Sequence, residues 1–563
     1  MRLDALRINN FRNLHQVEVT LPSAPVIVGE NGSGKSNLVH ALRLVLDSGL
    51  SSRQRLLTED DFWDGLGPNP MNQGAEISVS VDFVDFDEDP GLLATLAGAI
   101  VTGDPSRARL TYLYRPRLGF KNVDPPVYEW LIYGGDDADQ VVGNDLRLYI
   151  HLTYMQALRD SEADLASWRK SPLRPIIDEI ARCIPSDQVA TVRNALETAR
   201  NVVNGLDAVI EAAAMIANRS RELVGNMNDL DPTLELAPTD PVRALRNLRL
   251  LLDGTAQREL GASSLGTLNV LYLALLKAEL DRRLDNSEIE YALIAIEEPE
   301  AHLHPHLQRR MFRGLQTSDG RSSTFVTTHS PHIVSVTNPQ RLLRMRTTPM
   351  GTDVRSACTA QLSEKDWEDL GRYLDATRSE LVFAKSVILV EGFAEQVLLQ
   401  RMLADQDFDE LGLTVCAIHG THFQPYLRFV RALGIPHAVI TDGDPSAPHT
   451  GLDRAAQLCR AIDVDPSNAE SEGIFVGDVT LEADLFNHSR ENQWLMIGAL
   501  KTMTTQQTAE EIEVCWMAET LNADDFLKRI RGQKGLFAQR LASVDQPLSP
   551  PQYIQQAFTH LER

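Results

Sequence analysis

The sequence is poor in cysteine, in basic residues and in long apolar runs. Its five cysteines (Cys183, Cys358, Cys416, Cys459 and Cys515) are scattered, odd in number and contain no C-x-x-C pair, which excludes a disulfide framework and a zinc ribbon and fits a reducing cytosol. No apolar run approaches the ~18 to 20 residues that span a bilayer. The opening MRLDALRINNF mixes charges into its apolar residues and lacks a signal-peptide core, so the expectation is a soluble, cytoplasmic protein with no membrane partner. Lys plus Arg number 54 against 78 Asp plus Glu, a formal charge of -24. Bulk attraction for nucleic acid is thereby excluded, and a polyanionic partner must be met by a local basic patch or by metal ions held between acids. Fixed-period repeats and low-complexity tracts are also missing.

What is present is the composition of a folded chain, 563 residues with 43% hydrophobic and 23% charged, long enough for three or four units at ~150 residues each. Residues 1–28 alternate apolar and polar, the pattern of short strands, and end in an apolar run from Ala24 to Val28 ahead of a glycine cluster. Helical spacing follows from Asn37 to Leu46, and Glu76 to Phe86 reads as a strand. From about Asp160 to Asp253 the texture is helical, with one long amphipathic stretch, Val192 to Val224, whose stripe is to be buried against its own neighbours or a second subunit. Strands return at Tyr291–Glu298 and Thr324–His329. From Leu381 onward short apolar strands (KSVILVEG, LTVCAIHG, HAVITDGD) alternate with helices, which implies a mostly parallel sheet.

GENGSGKS, Gly29 to Ser36, has the spacing of a phosphate-binding loop between a strand and a helix. In such a loop the backbone N–H groups of Asn31, Gly32, Ser33 and Gly34 close on phosphate oxygens, Lys35 brings charge to the β and γ phosphates, and Ser36 can ligate Mg²⁺. The alternative is a chance glycine-rich turn. The second half of such a site needs a buried strand ending in acids, one for the metal and one to orient water. ALIAIEEPEAHLHP supplies Glu297 for the metal and Glu298 as general base, and His329 ends another apolar strand where this class of ATPase keeps its γ-phosphate sensor.

Asn10-Phe11-Arg12-Asn13-Leu14, the phosphate loop with Asn37 after it, Ser263–Leu276, IEEPEAHLHP and THSP together resemble the ABC-type ATPases of the SMC and recombination-mediator kind. The resemblance implies that ATP glues two heads together and makes Arg12 a nucleotide-site residue and Ser264 and Gly266 signature residues, although the segment departs from LSGGQ. A helical insert of ~95 residues without heptad runs is too short for SMC arms.

A second acidic pattern lies further on. Glu391 ends an apolar strand and Glu395 follows four residues later, one helical turn on, so the two can share a divalent cation. Asp442 and Asp444 end another strand, and period-2 spacing aims both the same way. Taken singly, either half reads more often as a loop. Together the strand–Glu-Gly-x-x-Glu and strand–Asp-x-Asp units resemble the Toprim domain of topoisomerases, primases and certain nucleases, which implies two metals acting on a phosphodiester.

An ABC-type ATPase followed by Toprim resembles the OLD (overcoming lysogenization defect) nuclease family over essentially the whole chain. The segments Ile418–Tyr426, Val476–Phe486 and Arg529–Ala542 fit that pattern. The resemblance makes Glu482 a further metal acid with Asp478 and Asp484 near it, and Lys534 the cation that steadies the pentacovalent phosphate. A solvated surface lysine is the bland reading, but Lys534 belongs to a basic cluster with Lys528, Arg529 and Arg531. In YMQALRD, Gln156 either monitors the nucleotide metal or is a surface glutamine. Class 2 members of the family include the nuclease subunit of the Gabija antiphage system, which pairs with a superfamily-1 helicase.

The expected fold is α/β: an ABC ATPase head in two parts (1–158 and 256–375), an inserted helical dimerisation unit (159–255) and a C-terminal Toprim domain (376–563). The expected function is metal-dependent DNA endonuclease activity regulated by ATP, with Mg²⁺ or Mn²⁺ at both sites, a homodimeric or larger assembly, DNA as substrate and a helicase as candidate partner. Antiphage defence or DNA repair is the expected setting. The competing reading is a non-nucleolytic ATP-dependent clamp or repair mediator with a structural acidic cluster. A topoisomerase would need a strand-transfer tyrosine on a further DNA-binding domain, for which the chain after Toprim leaves little room, and a primase a zinc module, which the cysteine pattern does not offer.

Overall fold

The computed structural model describes residues 1–117, 126–156, 165, 171–224, 233–236, 240–246, 248, 250–252, 260, 263–316, 320–374, 378–403 and 406–562. Two compact units emerge. One comprises Met1–Met155, Glu290–Glu300 and His304–Arg563, and the other Gln156–Ile289 and Ala301–Leu303.

The first unit carries three sheets. Its strands are β1 (Arg2–Phe11), β2 (Leu14–Thr20), β3 (Val26–Gly29), β4 (Ile77–Val84), β5 (Ile100–Val101), β6 (Asp104–Pro116), β7 (Tyr128–Gly134) and β8 (Ile150–Met155). They continue with β9 (Tyr291–Glu297), β10 (Ser322–Thr328), β11 (Leu342–Thr348), β12 (Gly351–Ser356), β13 (Ser386–Val390), β14 (Leu413–Ala417), β15 (His437–Thr441) and β16 (Ile474–Val476). The first sheet is antiparallel in the order β2-β1-β4-β6-β5, with β7 on β6. Half-buried alternation in β1 and β4 gives it one apolar face, and the fully buried carboxylate of Asp82 is neutralised there by Arg7, Arg107 and Arg109 at 2.7–3.0 Å.

The second sheet, β12-β11-β3-β10-β9-β8, is parallel from β11 to β8. Both its faces are covered, so its central strands read as continuous apolar runs, and every residue of β9 is buried. The helix Lys35–Leu46 leaves β3 through Gly34 at φ +94°, a conformation that glycine adopts without a Cβ penalty. Leu38, Leu42 and Val45 on its inner face are fully buried, each contributing about 1.5–3 kcal/mol. The third sheet, β14-β13-β15-β16, is wholly parallel. Its chain leaves β13 to one side for β14 and returns to the other for β15. A crevice therefore opens between the carboxyl ends of β13 and β15, where such sheets bind ligands. The C-terminal helices from Leu481 to Leu561 add Phe486, Phe526, Phe537 and Ile554 to the same core.

The second unit is helical: Leu173–Cys183, Ser186–Asn204, Asp207–Val224, Pro241–Leu245 and Leu265–Asp285. The amphipathic stretch expected from Val192 to Val224 is two helices, because Gly205 caps the first and its N–H returns to Asn201. Val202, Ile210 and Met215 remain exposed on them. Arg282 ties the helix Leu265–Asp285 to Leu173–Cys183 through Glu179 at 2.8 Å, and it is held in place by its chain neighbours Glu279 and Glu288 at 2.9 and 2.7 Å. That helix follows the signature candidates and clusters with the helical unit, so the compact unit extends beyond the expected 159–255. Among the described residues no helix is long and apolar enough to cross a membrane.

Candidate functional site

The nucleotide loop is built by close backbone approach. Lys35 Nζ donates to the carbonyls of Gly29 and Glu30, each at 2.9 Å, and burial lowers its pKa to about 8 against the raising effects of Glu298, Glu300 and Glu297. Ser36 Oγ donates to Glu297 at 2.9 Å, and the other carboxylate oxygen of Glu297 accepts from the Tyr154 hydroxyl at 3.0 Å. A hydroxyl and a carboxylate side by side at the head of a helix suit Mg²⁺, which takes a few protein oxygens and its nucleotide's phosphates. Asn31 and Gly32 remain in the loop, with Gly32 at φ +80°, and Ser33 is fully buried. Arg12 bridges Asp61 and Asn37 at 2.9 Å, and the Asn37 amide donates to Asn13 at 2.7 Å, so the segment around Arg12 braces the loop helix.

Glu298 follows β9 with φ +46°, an unfavourable conformation for a side chain with a Cβ and one that clusters at functional positions. Its carboxylate lies 3.4 Å from His329 Nε2. Burial, then Lys35, lowers the His329 pKa below the usual imidazole value. Glu300 holds this corner together by accepting from Thr328 Oγ at 2.7 Å and from the His329 N–H at 2.8 Å, and burial raises its pKa.

The acidic pattern gathers at the β13/β15 crevice. Glu391 directly follows β13, and its Oε1 accepts from the Thr441 hydroxyl, the Asp442 N–H at 2.9 Å and Arg454 at 3.3 Å. Glu395 stands in the first turn of the helix Phe393–Met402; burial raises its pKa, and Glu482 and Glu391 add to the rise. Asp442 is pushed up to about 8, first by burial and then by Glu391, Glu395 and Glu482. Its Oδ1 accepts from the Leu481 N–H at 3.0 Å. Glu482, 2% exposed, receives the Lys534 ammonium at 2.8 Å. Burial acts to lower the Lys534 pKa, but Glu482, Asp442 and Glu395 hold it above its usual value.

Among the described residues no three acids, imidazoles or thiols converge tightly enough to enclose an ion. The electrostatics nevertheless place Glu391, Glu395, Asp442 and Glu482 within mutual influence. Lys534 pairs with Glu482 at 2.8 Å, and Arg454 with Glu391 at 3.3 Å and Asp444 at 3.0 Å, so fixed cations already meet part of the charge of this set. A set of oxygen donors that repel one another, with Glu482 buried and Glu391, Glu395 and Asp442 half-buried, fits a hard divalent cation.

Comparison with known proteins follows the same division. Residues 382–444 match the family model described as Overcoming lysogenization defect protein-like, TOPRIM domain, and residues 1–89 and 144–334 match AAA ATPase domain. The chain is 22% identical over 461 residues to Endonuclease GajA of Bacillus cereus (strain VD045), covering 79% of this chain and 75% of that protein. It is 25% identical over 477 residues to OLD nuclease of Thermus scotoductus, covering 78% and 82%. The chain belongs to the OLD family. A solved structure, the C-terminal region of the Burkholderia pseudomallei OLD protein, is 34% identical, spans 32% of this chain and 98% of that one, and has a TM-score of 0.28.

Not every expected residue of this OLD-family chain joins the crevice in the same way. The strand carrying Asp442 stops at Thr441, and Asp444 has φ +43°, so the two acids lie in a turn where period-2 spacing no longer applies. Asp444 pairs with Arg454 at 3.0 Å. Asp478 is exposed, whereas the buried Asp484 accepts from the Asp478 and Val479 N–H groups at 3.1 and 3.0 Å and fixes their turn. Ser264 caps the helix Leu265–Asp285 by accepting from the Thr267 N–H, and a Cβ on Gly266 would stand 2.5 Å from the His302 carbonyl, so both have local structural work. Lys528 is drawn to Asp525. Gln156 is exposed, and residues 157–160 of its motif lie outside the described residues.

Sequence reasoning missed Tyr154, Glu300 and Arg454. Tyr154 stands two residues before Gln156 in the YMQALRD segment. Arg454 contacts Thr441, Glu391, Asp444 and the Asp442 carbonyl at once, and nothing in its spacing announces that.

Proposed function

We propose that this chain hydrolyses DNA phosphodiester bonds at the β13/β15 crevice and that ATP bound at the Gly29–Ser36 loop regulates the cut. The observation that carries this reading is the gathering of the Glu391, Glu395, Asp442 and Glu482 carboxylates with Lys534 at adjacent parallel strand ends. Glu391, Glu395, Asp442 and Glu482 would hold Mg²⁺ or Mn²⁺, with Asp444 and Asp478 at the margin of the set. When bound, such ions supply an acidified water and charge neutralisation at the phosphate. Lys534 remains charged at neutral pH and meets the charge that develops on the phosphate oxygens. Arg454 and Thr441 orient Glu391, and the Leu481 N–H fixes Asp442.

At the other site, Lys35 and the loop N–H groups would bind the phosphates, and Ser36 and Glu297, 2.9 Å apart, would hold the nucleotide's Mg²⁺. Glu298 receives a proton from the attacking water while His329, neutral and beside it, bonds the terminal phosphate. The exposed apolar side chains Val202, Ile210 and Met215 support a homodimer through the helical unit, and Ser264 and Gly266 would then serve the partner's nucleotide. A superfamily-1 helicase partner and a role in antiphage defence extend the same reading.

The test is conversion of supercoiled plasmid to open-circular or linear DNA in Mg²⁺ or Mn²⁺. Undiminished cutting by Asp442→Ala would remove the assigned centre. ATP-dependent DNA binding without any product would return the chain to the clamp reading.

A further inference from the structure

A cavity of about 370 Å³ opens beside the nucleotide loop. Its walls include Gly29, Glu30 and Asn31 of the loop, His329, and two residues from far along the chain, Glu380 and Phe383. The Gly29 and Glu30 carbonyls are those that hold Lys35 Nζ. Since that ammonium addresses the β and γ phosphates, the cavity flanks the terminal phosphate. Glu380 is exposed, yet its neighbours are anchored: Ser379, Leu381 and Val382 in the same short turn are fully buried. The turn thus places Glu380 on the wall of the cavity, beside the place where ATP and ADP differ.

We propose that Glu380 reads the γ-phosphate of a nucleoside triphosphate in this cavity, and that its segment carries the nucleotide state into β13 and on to Glu391. The path is short. Arg344, 4% exposed, stands opposite Val28 in the β11/β3 register, next to the loop's own strand. Its guanidinium donates to the Val382 carbonyl at 3.2 Å and the Ala384 carbonyl at 2.7 Å. Two residues later β13 begins, and at its end lies Glu391. A terminal phosphate repels the Glu380 carboxylate, so nucleotide binding and the position of this segment are linked. By reciprocity, whatever changes one changes the other. The first half of the proposal concerns the nucleotide alone; the second rests on the nuclease reading above.

The experiment is a charge ladder at an exposed position, Glu380→Gln and Glu380→Lys in the full chain. Fluorescent analogues of ADP and of β,γ-imido-ATP are titrated in Mg²⁺, and plasmid nicking in Mn²⁺ is measured with and without the triphosphate. The affinity ratio of triphosphate to diphosphate is expected to rise about fivefold at each step, a graded response that a packing defect would not give. The factor by which the triphosphate alters nicking should shift along the same ladder. An affinity ratio unchanged within twofold overturns the sensor. A ratio that moves while the nicking response stays at its wild-type value overturns the transmission. If the wild-type chain cuts no DNA, the nuclease reading and the transmission fail together, while the titration still decides the role of Glu380.

Discussion

Replacing Asp442 by Asn should make the metal-free protein more stable while abolishing its cleavage. Without a cation the Asp442 carboxyl has its pKa pushed up to about 8, by burial first and then by Glu391, Glu395 and Glu482, against about 3.9 in an unfolded chain. A carboxyl with a raised folded pKa destabilises the folded state progressively as pH rises through that window, roughly pH 4 to 8, because folding must take up a proton. At pH 7 the three-unit interval corresponds to at most about 4 kcal/mol, and relaxation of the neighbouring side chains brings the expected cost to about 2 kcal/mol. Asn keeps an oxygen for the Leu481 N–H and presents an amide N–H₂ to the surrounding carboxylates, so the geometry survives. The expected gain is about 4–8 °C in Tm at pH 7.5 in EDTA, shrinking towards zero near pH 4. Saturating Mn²⁺ should raise the Tm of the wild type and do little for the variant, reversing their order. Calorimetry across pH 4 to 8.5, with and without metal, checks this. An Asn variant less stable than wild type in EDTA at pH 8, or a difference that does not depend on pH, would refute the electrostatic account of the crevice.

Four further outcomes follow from the geometry. Glu298→Gln should bind ATP normally but hydrolyse it about 100-fold more slowly or worse in a steady-state phosphate-release assay; a wild-type rate would move the base elsewhere. Lys534→Met should cut plasmid about 10²–10³-fold more slowly and also lower the Tm in EDTA, since Glu482 at 2% exposure loses its cation; loss of neither would leave Lys534 a surface residue. Gly443→Ala should cost about 3 kcal/mol in denaturant unfolding, because its Cβ would lie 2.3 Å from the Asp478 carbonyl and 2.4 Å from that of Gly477; an unchanged midpoint would mean that the two loops are not in contact. Burial, then Lys35, holds the His329 pKa below the ordinary imidazole value of 6.5, so the acid limb of the ATPase profile should fall below that value. A limb above pH 6.5 that His329→Gln removes would contradict it.

What could be read from residues alone was whatever depended on strand order and spacing. The loop at Gly29–Ser36, the buried β9 leading to Glu297, and Glu391 one turn ahead of Glu395 all follow from short-range pattern, and they stand where that pattern puts them. The period-2 argument for Asp442 and Asp444 failed because it assumed that β15 continues through the motif. It stops at Thr441, and a left-handed Asp444 sends the second carboxylate to Arg454. Long-range partners were not legible for a related reason. Tyr154 reaches Glu297 across 143 residues and Arg454 reaches Glu391 across 63, and no local propensity records such pairings. The same gap explains how a chain of charge -24 can be read as acting on DNA. Two of its cations are placed individually beside acids of the crevice, Lys534 on the buried Glu482 and Arg454 on the half-buried Glu391 and Asp444, where one charge in a partly desolvated crevice outweighs many in solvent. Affinity of this kind should depend on divalent metal far more steeply than on monovalent salt, which sets the crevice apart from a phosphate-binding basic patch.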